Sequence, residues 1–325
     1  MDVEIGLGKK ARQAYGFDDI AIVPTRRTRD PDDVDIGWKL DEQLLELPLL
    51  ASAMDGVVSP QTAIAIGKLG GLGVLNLEGI FTRYANADDQ LERIAKFSPA
   101  EATAGMQEIY AKPIDPDLIG KRVAEIKASG VLVAAALTPQ RVREYFPLAR
   151  DAGLDILVIQ GTVVSAEHVS ANGSALNLKE FIASLDVPVI VGGCASYHGA
   201  LHLMRTGAAG VLVGVGPGAA CTTRGVLGVG VPQATAIADA AAARAQHLLD
   251  TGVYCNVIAD GGMRTGGDIA KAIACGADAV MVGSPLARAT KRPATATTGA
   301  WRPSTPRFPA APACRSSRSP RSRRS

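Results

Sequence analysis

Hydrophobic residues recur along the chain in eight short runs separated by longer, mixed stretches. The runs are PLLASAM (48–54), GVLNL (73–77), VLVAAAL (131–137), DILVIQG (155–161), PVIVGG (188–193), GVLVGVG (210–216), YCNVIADGG (254–262) and AVMVGS (279–284). Such runs are typical of buried strands. Apolar residues at helical spacing mark the stretches between them, chiefly residues 59–70, 139–153, 198–208, 232–249 and 266–277. The pattern therefore predicts strands that alternate with helices.

This alternation predicts an α/β fold with a parallel sheet, because strands joined through helices pair with right-handed crossovers. Eight strand-helix units are the number that closes a (β/α) TIM barrel. Residues 78–130 depart from the alternation with helical stretches near 87–97, 101–111 and 117–128. We interpret them as a short helical insertion after the second strand, since about 50 residues build only a marginal core of their own.

Charge separates a body from a tail. Nine of the 34 Lys and Arg residues lie after residue 288 but none of the 32 Asp and Glu residues does, so residues 1–288 carry 25 basic against 32 acidic side chains. An acidic body argues against a general nucleic-acid surface, and we expect no specific nucleic-acid partner. Residues 289–325 lack Leu, Ile and Val and predict a disordered basic tail.

The composition of this tail has two interpretations. Arg, Pro, Ala, Ser and Thr dominate it, as they do when GC-rich codons are read out of frame, which suggests a frameshift near residue 289. The alternative is a genuine basic tail that binds nucleic acid or an acidic partner.

The sequence predicts a cytoplasmic protein without a membrane partner. No run approaches the roughly 20 apolar residues that a membrane span needs, and the first residues, MDVEIGLGKKARQAYG, contain no apolar stretch after their positive charges. The five cysteines never form a CxxC pair, and their odd number favours free thiols. One of them could be reactive.

The segment GVGPGAACTTR (214–224) is the first candidate for chemistry. It follows a strand, and its glycines place Cys221 on an exposed loop at the carboxyl end of the barrel, where active sites of this architecture lie. Nearby amides and Arg224 would lower the thiol pKa, and successive loop carbonyls could hold a monovalent cation. The alternative is a buried Cys221 that acts as a small hydrophobic residue.

The segment IADGGMRTGGDIAKAIACGADAVMVGS (258–284) is the second candidate. Gly261-Gly262 and Gly283-Ser284 follow the last two strands and present backbone amides where barrels often bind phosphate. Asp260 can accept hydrogen bonds from both hydroxyls of a ribose, although it could instead cap its own loop.

These motifs resemble the IMP dehydrogenase and GMP reductase family. The resemblance is carried by GPGAACTTR followed by GVGVPQ, by DGGMRTGGDIAKAIACGADAVMVGS, and by PLLASAMDGVVSPQTAIAIGKLGGLGVLN at residues 48–76. It covers roughly residues 15–288. The segments YGFDDIAIVPTRRT (15–28) and LVIQGTVVSAEHVS (157–170) are most similar to the actinobacterial IMP dehydrogenase-related branch.

The resemblance implies hydride transfer at C2 of a purine nucleotide monophosphate (IMP, XMP or GMP), with NAD or NADP as cofactor and a covalent intermediate on Cys221. Thr223 would lie beside the reacting carbon. The implied substrate residues are Ser52, Met54, Asp260, Gly262, Gly283 and Ser284. The implied cofactor residues are Gln160, Gly161, Gly193 and Gly214. Carbonyls of Gly216, Gly218 and Cys221 would form part of a potassium site, and the family implies a homo-oligomer, commonly a tetramer.

Several features depart from the active enzymes of the family. Gln160 replaces an Asp directed at the nicotinamide ribose, and Cys194 replaces an Asn. Residues 78–130 are too few for the tandem regulatory (CBS) domains. The flap that activates water or releases ammonia, and the eighth barrel helix, are not found after Ala287. We therefore expect a catalytic domain over residues 1–288 that binds nucleotide and turns over slowly or not at all.

Three functional hypotheses follow from the resemblance. The leading one is an IMP dehydrogenase-related oxidoreductase. A GMP reductase is the nearest alternative, because GPGAACTTR occurs in both. A nucleotide-binding protein without turnover is the third.

Overall fold

The structure is a computed structural model that describes residues 2–165 and 176–290. The end of the 157–170 motif and the tail from residue 291 onward lie outside the described residues, as do the expectations attached to them.

Two antiparallel hairpins precede the barrel. The first pairs β1 (Asp2–Gly6) with β2 (Lys9–Arg12), and the second pairs β3 (Trp38–Leu40) with β4 (Gln43–Leu45). The hydrophobic pattern predicts neither hairpin, because these strands are only three to five residues long.

Eight parallel strands form a closed barrel, which confirms the predicted TIM-barrel fold. They are β5 (Leu49–Ala51), β6 (Leu72–Asn76), β7 (Ala134–Leu137), β8 (Ile156–Gln160), β9 (Val189–Cys194), β10 (Gly210–Val213), β11 (Asn256–Asp260) and β12 (Ala279–Val282). Neighbours in the chain are neighbours in the sheet, and β12 pairs with β5 to close it. Every strand therefore points its carboxyl end at the same mouth.

The sequence predicts eight of the helices that connect or follow the strands, but not the three short ones at residues 178–183, 223–227 and 284–290. The helices are α1 (Pro60–Lys68), α2 (Ala87–Ala95), α3 (Ala102–Ala111), α4 (Pro116–Lys127), α5 (Val142–Asp151), α6 (Leu178–Ala183), α7 (Tyr197–Met204), α8 (Thr223–Leu227), α9 (Gln233–Thr251), α10 (Gly266–Ala274) and α11 (Ser284–Thr290). Local signals set several starts: Ser59 Oγ accepts from Thr62 N at 3.1 Å, and Thr265 forms a capping box with Asp268.

The predicted insertion between the second and third barrel strands is confirmed. It consists of a 3-10 turn at Ile80–Thr82 and the helices α2 and α3, followed by α4, which packs on the barrel against α1 and α5. After the last barrel strand, α11 extends to Thr290, which lies beyond the point at which the hydrophobic pattern of the sequence stops.

The barrel has two hydrophobic layers, and the strand periodicity separates them. Along β8, Ile156 and Val158 point into the barrel, whereas Leu157 and Ile159 pack outward against the helices. The hairpin β3–β4 closes the amino-terminal end, because Leu40 and its neighbours join the interior layer. The described residues contain no helix that is both long and apolar enough to cross a membrane.

The closing hairpin predicts a stability difference between two of its leucines. Leu40 is fully buried, so Leu40→Ala should lower the free energy of unfolding by about 2–5 kcal/mol. Leu44 in the same hairpin is 75% exposed, and Leu44→Ala should change it by less than about 0.5 kcal/mol. Urea unfolding of both variants measures the difference. Equal effects would show that the hairpin does not seal the interior.

Candidate active site

A cavity of about 690 Å³ lies at the carboxyl end of the barrel. This volume is in the range of small-molecule sites. Loops after β5, β10, β11 and β12 form most of its wall. Eight of the candidate residues line it, namely Ser52, Met54, Gly218, Cys221, Asp260, Gly262, Gly283 and Ser284. The structure thus brings the thiol and the substrate-binding candidates together.

Cys221 lies exposed on the loop between β10 and α8. Its backbone N–H donates to the Gly218 carbonyl at 3.0 Å, and the Thr223 hydroxyl lies 3.2 Å from its Sγ. Hydrogen bonds with the side chain and then the backbone of Thr223 lower the pKa of Cys221. Slight desolvation and the charge of Asp260 oppose this effect without cancelling it. The loop therefore favours the thiolate, the nucleophilic form of cysteine.

Arg224 contributes less to this pKa shift than the sequence suggests. Its guanidinium donates to the carbonyls of Val215 (3.4 Å) and Val231 (2.5 Å), and its charge is the smallest of the effects on the Cys221 pKa. Arg224 thus mainly joins the two ends of the loop.

The other described cysteines have the opposite electrostatics. Burial raises the pKa of Cys194 and of Cys255 to about 12, and it also raises the pKa of the partly buried Cys275. Among the described cysteines, Cys221 alone combines exposure with a lowered pKa.

Asp260 ends β11 at the floor of the cavity. Desolvation raises its pKa to about 6, although a hydrogen bond from Gln160 Nε2 to Oδ2 (3.2 Å) opposes the shift. At neutral pH the carboxylate remains the major form. Gln160 engages Oδ2, and Oδ1 can accept a hydrogen bond from a ligand.

Two of the predicted phosphate residues, Gly283 and Ser284, follow β12, which pairs with β5. A Cβ atom at Gly283 would lie 3.1 Å from Met54 Sδ and 3.3 Å from Ser52 Oγ, so a side chain there would crowd this corner. Gly261 and Gly262 have φ angles of +80° and +84°, which favour glycine and turn the loop after β11 into the cavity. The backbone amides of the loops after β11 and β12 are thus available to a ligand near one end of the cavity.

The cofactor candidates lie beside this cavity rather than in its wall. Gly161 N donates to Gly192 O at 2.8 Å, and Gly193 N donates to Gly161 O at 3.0 Å. A Cβ atom at Gly193 would approach Gly214 O to 2.6 Å, and one at Gly214 would overlap with Asp260 O. Close backbone packing therefore accounts for glycine at 193 and 214.

An amino-terminal strap forms part of the cavity wall and is missing from the sequence-based set. The strap comprises Gly16–Asp19, all of which line the cavity. Phe17 O accepts from Lys271 Nζ at 2.7 Å, and Asp18 Oδ1 accepts from Arg264 at 2.5 Å. The two residues of each contact are about 250 positions apart in the sequence, so no local pattern predicts these contacts. Of the two basic residues that hold the strap, Arg264 lies within the quoted motif DGGMRTGGD, and its charge is the only indication in the sequence of a role at the site.

The insertion is also fastened to the mouth of the barrel. Asp55, which follows Met54, accepts hydrogen bonds at Oδ2 from Tyr110 OH on α3 (2.5 Å) and from Ile80 N (3.0 Å). Burial raises the pKa of Asp55, and these hydrogen bonds lower it less. The loop that presents Met54 is thus held by residues of the insertion.

Comparison with known proteins agrees with this geometry. A family model described as the IMP dehydrogenase / GMP reductase domain matches residues 14–301. An uncharacterized oxidoreductase of Mycolicibacterium smegmatis is 50% identical over 292 residues, which cover 88% of this chain and 78% of the relative. The inosine-5'-monophosphate dehydrogenase of Cryptosporidium parvum is 32% identical over 301 residues, covering 88% and 70%.

A solved structure shares the fold. The crystal structure of an IMP dehydrogenase/GMP reductase-like protein from Corynebacterium glutamicum has a TM-score of 0.83 and 49% sequence identity, and the match covers 88% of this chain and 76% of that chain. The family model, the relatives and the shared fold lead to one conclusion. The chain belongs to the IMP dehydrogenase / GMP reductase family.

Proposed function

We propose that the chain oxidises or reduces C2 of a purine nucleoside monophosphate through a covalent intermediate on Cys221, with IMP oxidation as the leading direction. The observation that carries this proposal is the position of an exposed, pKa-lowered thiol in the same cavity as Asp260 and the glycine amides. Membership of an oxidoreductase family supports it.

The nucleotide is held at three places in this proposal. The amides of Gly262, Gly283 and Ser284 bind the phosphate, for which backbone N–H groups are suited. Asp260 accepts hydrogen bonds from the ribose hydroxyls. Ser52 and Met54 lie along the nucleotide and leave the base near the Cys221 loop.

The chemistry begins with attack of the Cys221 thiolate on C2 of IMP, which forms a C–S bond. A nicotinamide held beside Gln160 and Gly161 would supply the hydride acceptor for the hydrogen of C2. Water then adds to C2 and gives a proton to solvent, the C–S bond breaks, and XMP leaves with the thiolate restored. In the GMP reductase direction the 2-amino group takes up a proton from solvent and leaves as ammonia after the attack, and a reduced nicotinamide would be the hydride donor to C2 before the C–S bond breaks. Thr223 stabilises the thiolate before attack and after release.

The fit of the nicotinamide cofactor rests on Gln160 and Gly161. A carboxamide can donate to or accept from a ribose hydroxyl, and Gln160 already donates to Asp260. Gly193 and Gly214 supply backbone beside it. Potassium would be held by the carbonyls of Gly216, Gly218 and Cys221, and Gly218 O keeps a second lone pair after its hydrogen bond with Cys221 N.

Nucleotide binding should stabilise the protein through Asp260. At about 100 times its Kd, IMP should add about 2.7 kcal/mol to the free energy of unfolding. Asp260→Ala should weaken binding at least about tenfold, the equivalent of one charge-assisted hydrogen bond. Thermal unfolding with increasing IMP measures both effects. Asp250→Ala, at an ion pair with Arg205 outside the cavity, is the control, and equal IMP shifts in the two variants would place the nucleotide elsewhere.

The pKa of Asp260, raised to about 6, also predicts the pH dependence of IMP binding. The carboxylate accepts from ribose hydroxyls better than the protonated acid, so affinity should rise as pH increases from 5 to 7.5. The phosphate of IMP titrates in the same range. Asp260→Asn removes the carboxylate titration and should flatten the profile to the part due to phosphate.

Thr223 should control the reactivity of Cys221. Thr223→Val removes the hydroxyl that stabilises the thiolate, so the pKa of Cys221 should rise and its alkylation by iodoacetamide should shift to higher pH. Thr222→Val, at a neighbouring exposed position, should leave the profile unchanged. Mass spectrometry of partly labelled protein identifies the modified thiol. Faster labelling of Cys275 than of Cys221 would contradict the assignment.

The redox step is tested by rapid mixing. With IMP and NAD⁺ the chain should form about one equivalent of reduced nicotinamide per Cys221, because hydride transfer needs only the thiol, nucleotide and cofactor. Cys221→Ser should abolish this burst. Oxidation of NADPH with GMP, without a burst from IMP, would establish the reductase direction. No redox change with either pair, together with an intact IMP-induced thermal shift, would leave a binding protein without turnover.

A further inference from the structure

Gln233 connects the two strand ends that carry the candidate chemistry. It is the first residue of α9, it is only 3% exposed, and it lies in the cavity wall. Its Nε2 donates to Val213 O at 2.6 Å and to Asp260 O at 3.2 Å. These carbonyls belong to the last residues of β10 and β11.

This bridge begins where the hydrogen-bonded ladder stops. The last β10–β11 pair in register is Val213 with Ala259, and the next residues are Gly214, which opens the loop to Cys221, and Asp260 itself. A single side-chain amide therefore replaces backbone pairing at the point where the two strands separate. The amide thus joins the strand that leads into the thiol loop to the strand that ends in the carboxylate.

The orientation of the Gln233 amide follows from its partners. Both are carbonyl oxygens, so only the amide nitrogen can face them. Oε1 then points away, is buried, and has no hydrogen-bond partner among the described residues. A buried oxygen without a partner lowers stability. Stability alone therefore does not explain a glutamine at this position.

We propose that Gln233 is a positioning residue that sets the spacing between the Cys221 loop and Asp260, so that one bound nucleotide can contact both. The inference rests on the proposed function, because it requires a nucleotide that joins the two residues. A second observation supports it: the charge of Asp260 already influences the pKa of the Cys221 thiol. The loop and the carboxylate are close enough for their spacing to matter.

The test compares Gln233→Met with Gln246→Met. Methionine is similar in length to glutamine and lacks N–H donors, so Gln233→Met removes both bonds together with the unpaired oxygen. Gln246 lies on the same helix, and its amide donates to Asp250 on the outer surface (2.7 Å). For each protein, the rate of Cys221 alkylation by iodoacetamide is measured with and without saturating IMP. The IMP-induced thermal shift is recorded on the same samples.

We expect Gln233→Met to fold and to retain an IMP-induced shift, because the phosphate amides are unchanged. The protection of Cys221 by IMP should fall at least about fivefold, which corresponds to about 1 kcal/mol. The pH midpoint of alkylation without IMP should also move, because the distance to Asp260 changes. Gln246→Met should match the wild type in every measurement.

The outcomes separate the two proposals. If IMP neither shifts nor protects the wild type, the proposed function fails. If the wild type is protected, and Gln233→Met shows equal protection and the same alkylation profile, the positioning role is overturned while the function stands. Should Gln233→Met not fold, Gln233→Glu decides. A protonated glutamic acid can still donate to one carbonyl, whereas the carboxylate cannot. The protection of Cys221 by IMP in Gln233→Glu, divided by that in the wild type, should therefore be greater at pH 5.5 than at pH 8. A ratio equal to one at both pH values overturns the role.

Discussion

Backbone packs directly against backbone where β9, β10 and β11 end. A side chain at Gly193 would meet the carbonyl of Gly214, and a side chain at Gly214 would overlap with the carbonyl of Asp260. This close approach brings the start of the Cys221 loop next to the strand that carries the carboxylate. Three of the four cofactor candidates are glycines at the ends of β8, β9 and β10, namely Gly161, Gly193 and Gly214. The same backbone packing therefore shapes both the proposed cofactor site and the proposed substrate site.

Two of the three buried side-chain atoms without a partner among the described residues belong to residues at the same mouth. They are Asp55 Oδ1 and Gln233 Oε1, and both residues connect elements that meet at the cavity, whereas the third atom is His247 Nδ1 on α9. Asp260 is desolvated enough to raise its pKa to about 6. Native proteins tolerate such costs mainly at functional sites, where geometry matters more than local stability. The amino-terminal end, closed by the hairpin β3–β4, is lined mainly by apolar side chains, and the amide of its buried Asn256 donates to Ala209 O at 3.2 Å.

The barrel could be predicted from the sequence because its signals are local. Short apolar runs marked all eight strands, and apolar residues at helical spacing marked stretches such as 59–70 and 266–277 as helices. The hairpin containing Leu40 was missed because its strands have three residues each. The strap at Phe17 was missed because its partners lie more than 200 residues away. The direction of the Gln233 amide depends on two carbonyls that only the folded sheet brings together.

The features that local sequence patterns predict have a different role from the features that depend on distant residues. Strand ends supply the groups proposed for chemistry, and a barrel places them at one mouth whatever the connecting segments are. The cavity wall is completed by a segment outside the barrel, the strap, which Lys271 and Arg264 hold in place. The insertion does not line the cavity but holds the loop that presents Met54, through Asp55 and Tyr110. Selectivity among purine nucleotides is therefore expected to depend on the strap and on this loop, whereas the proposed attack at C2 depends on the Cys221 loop.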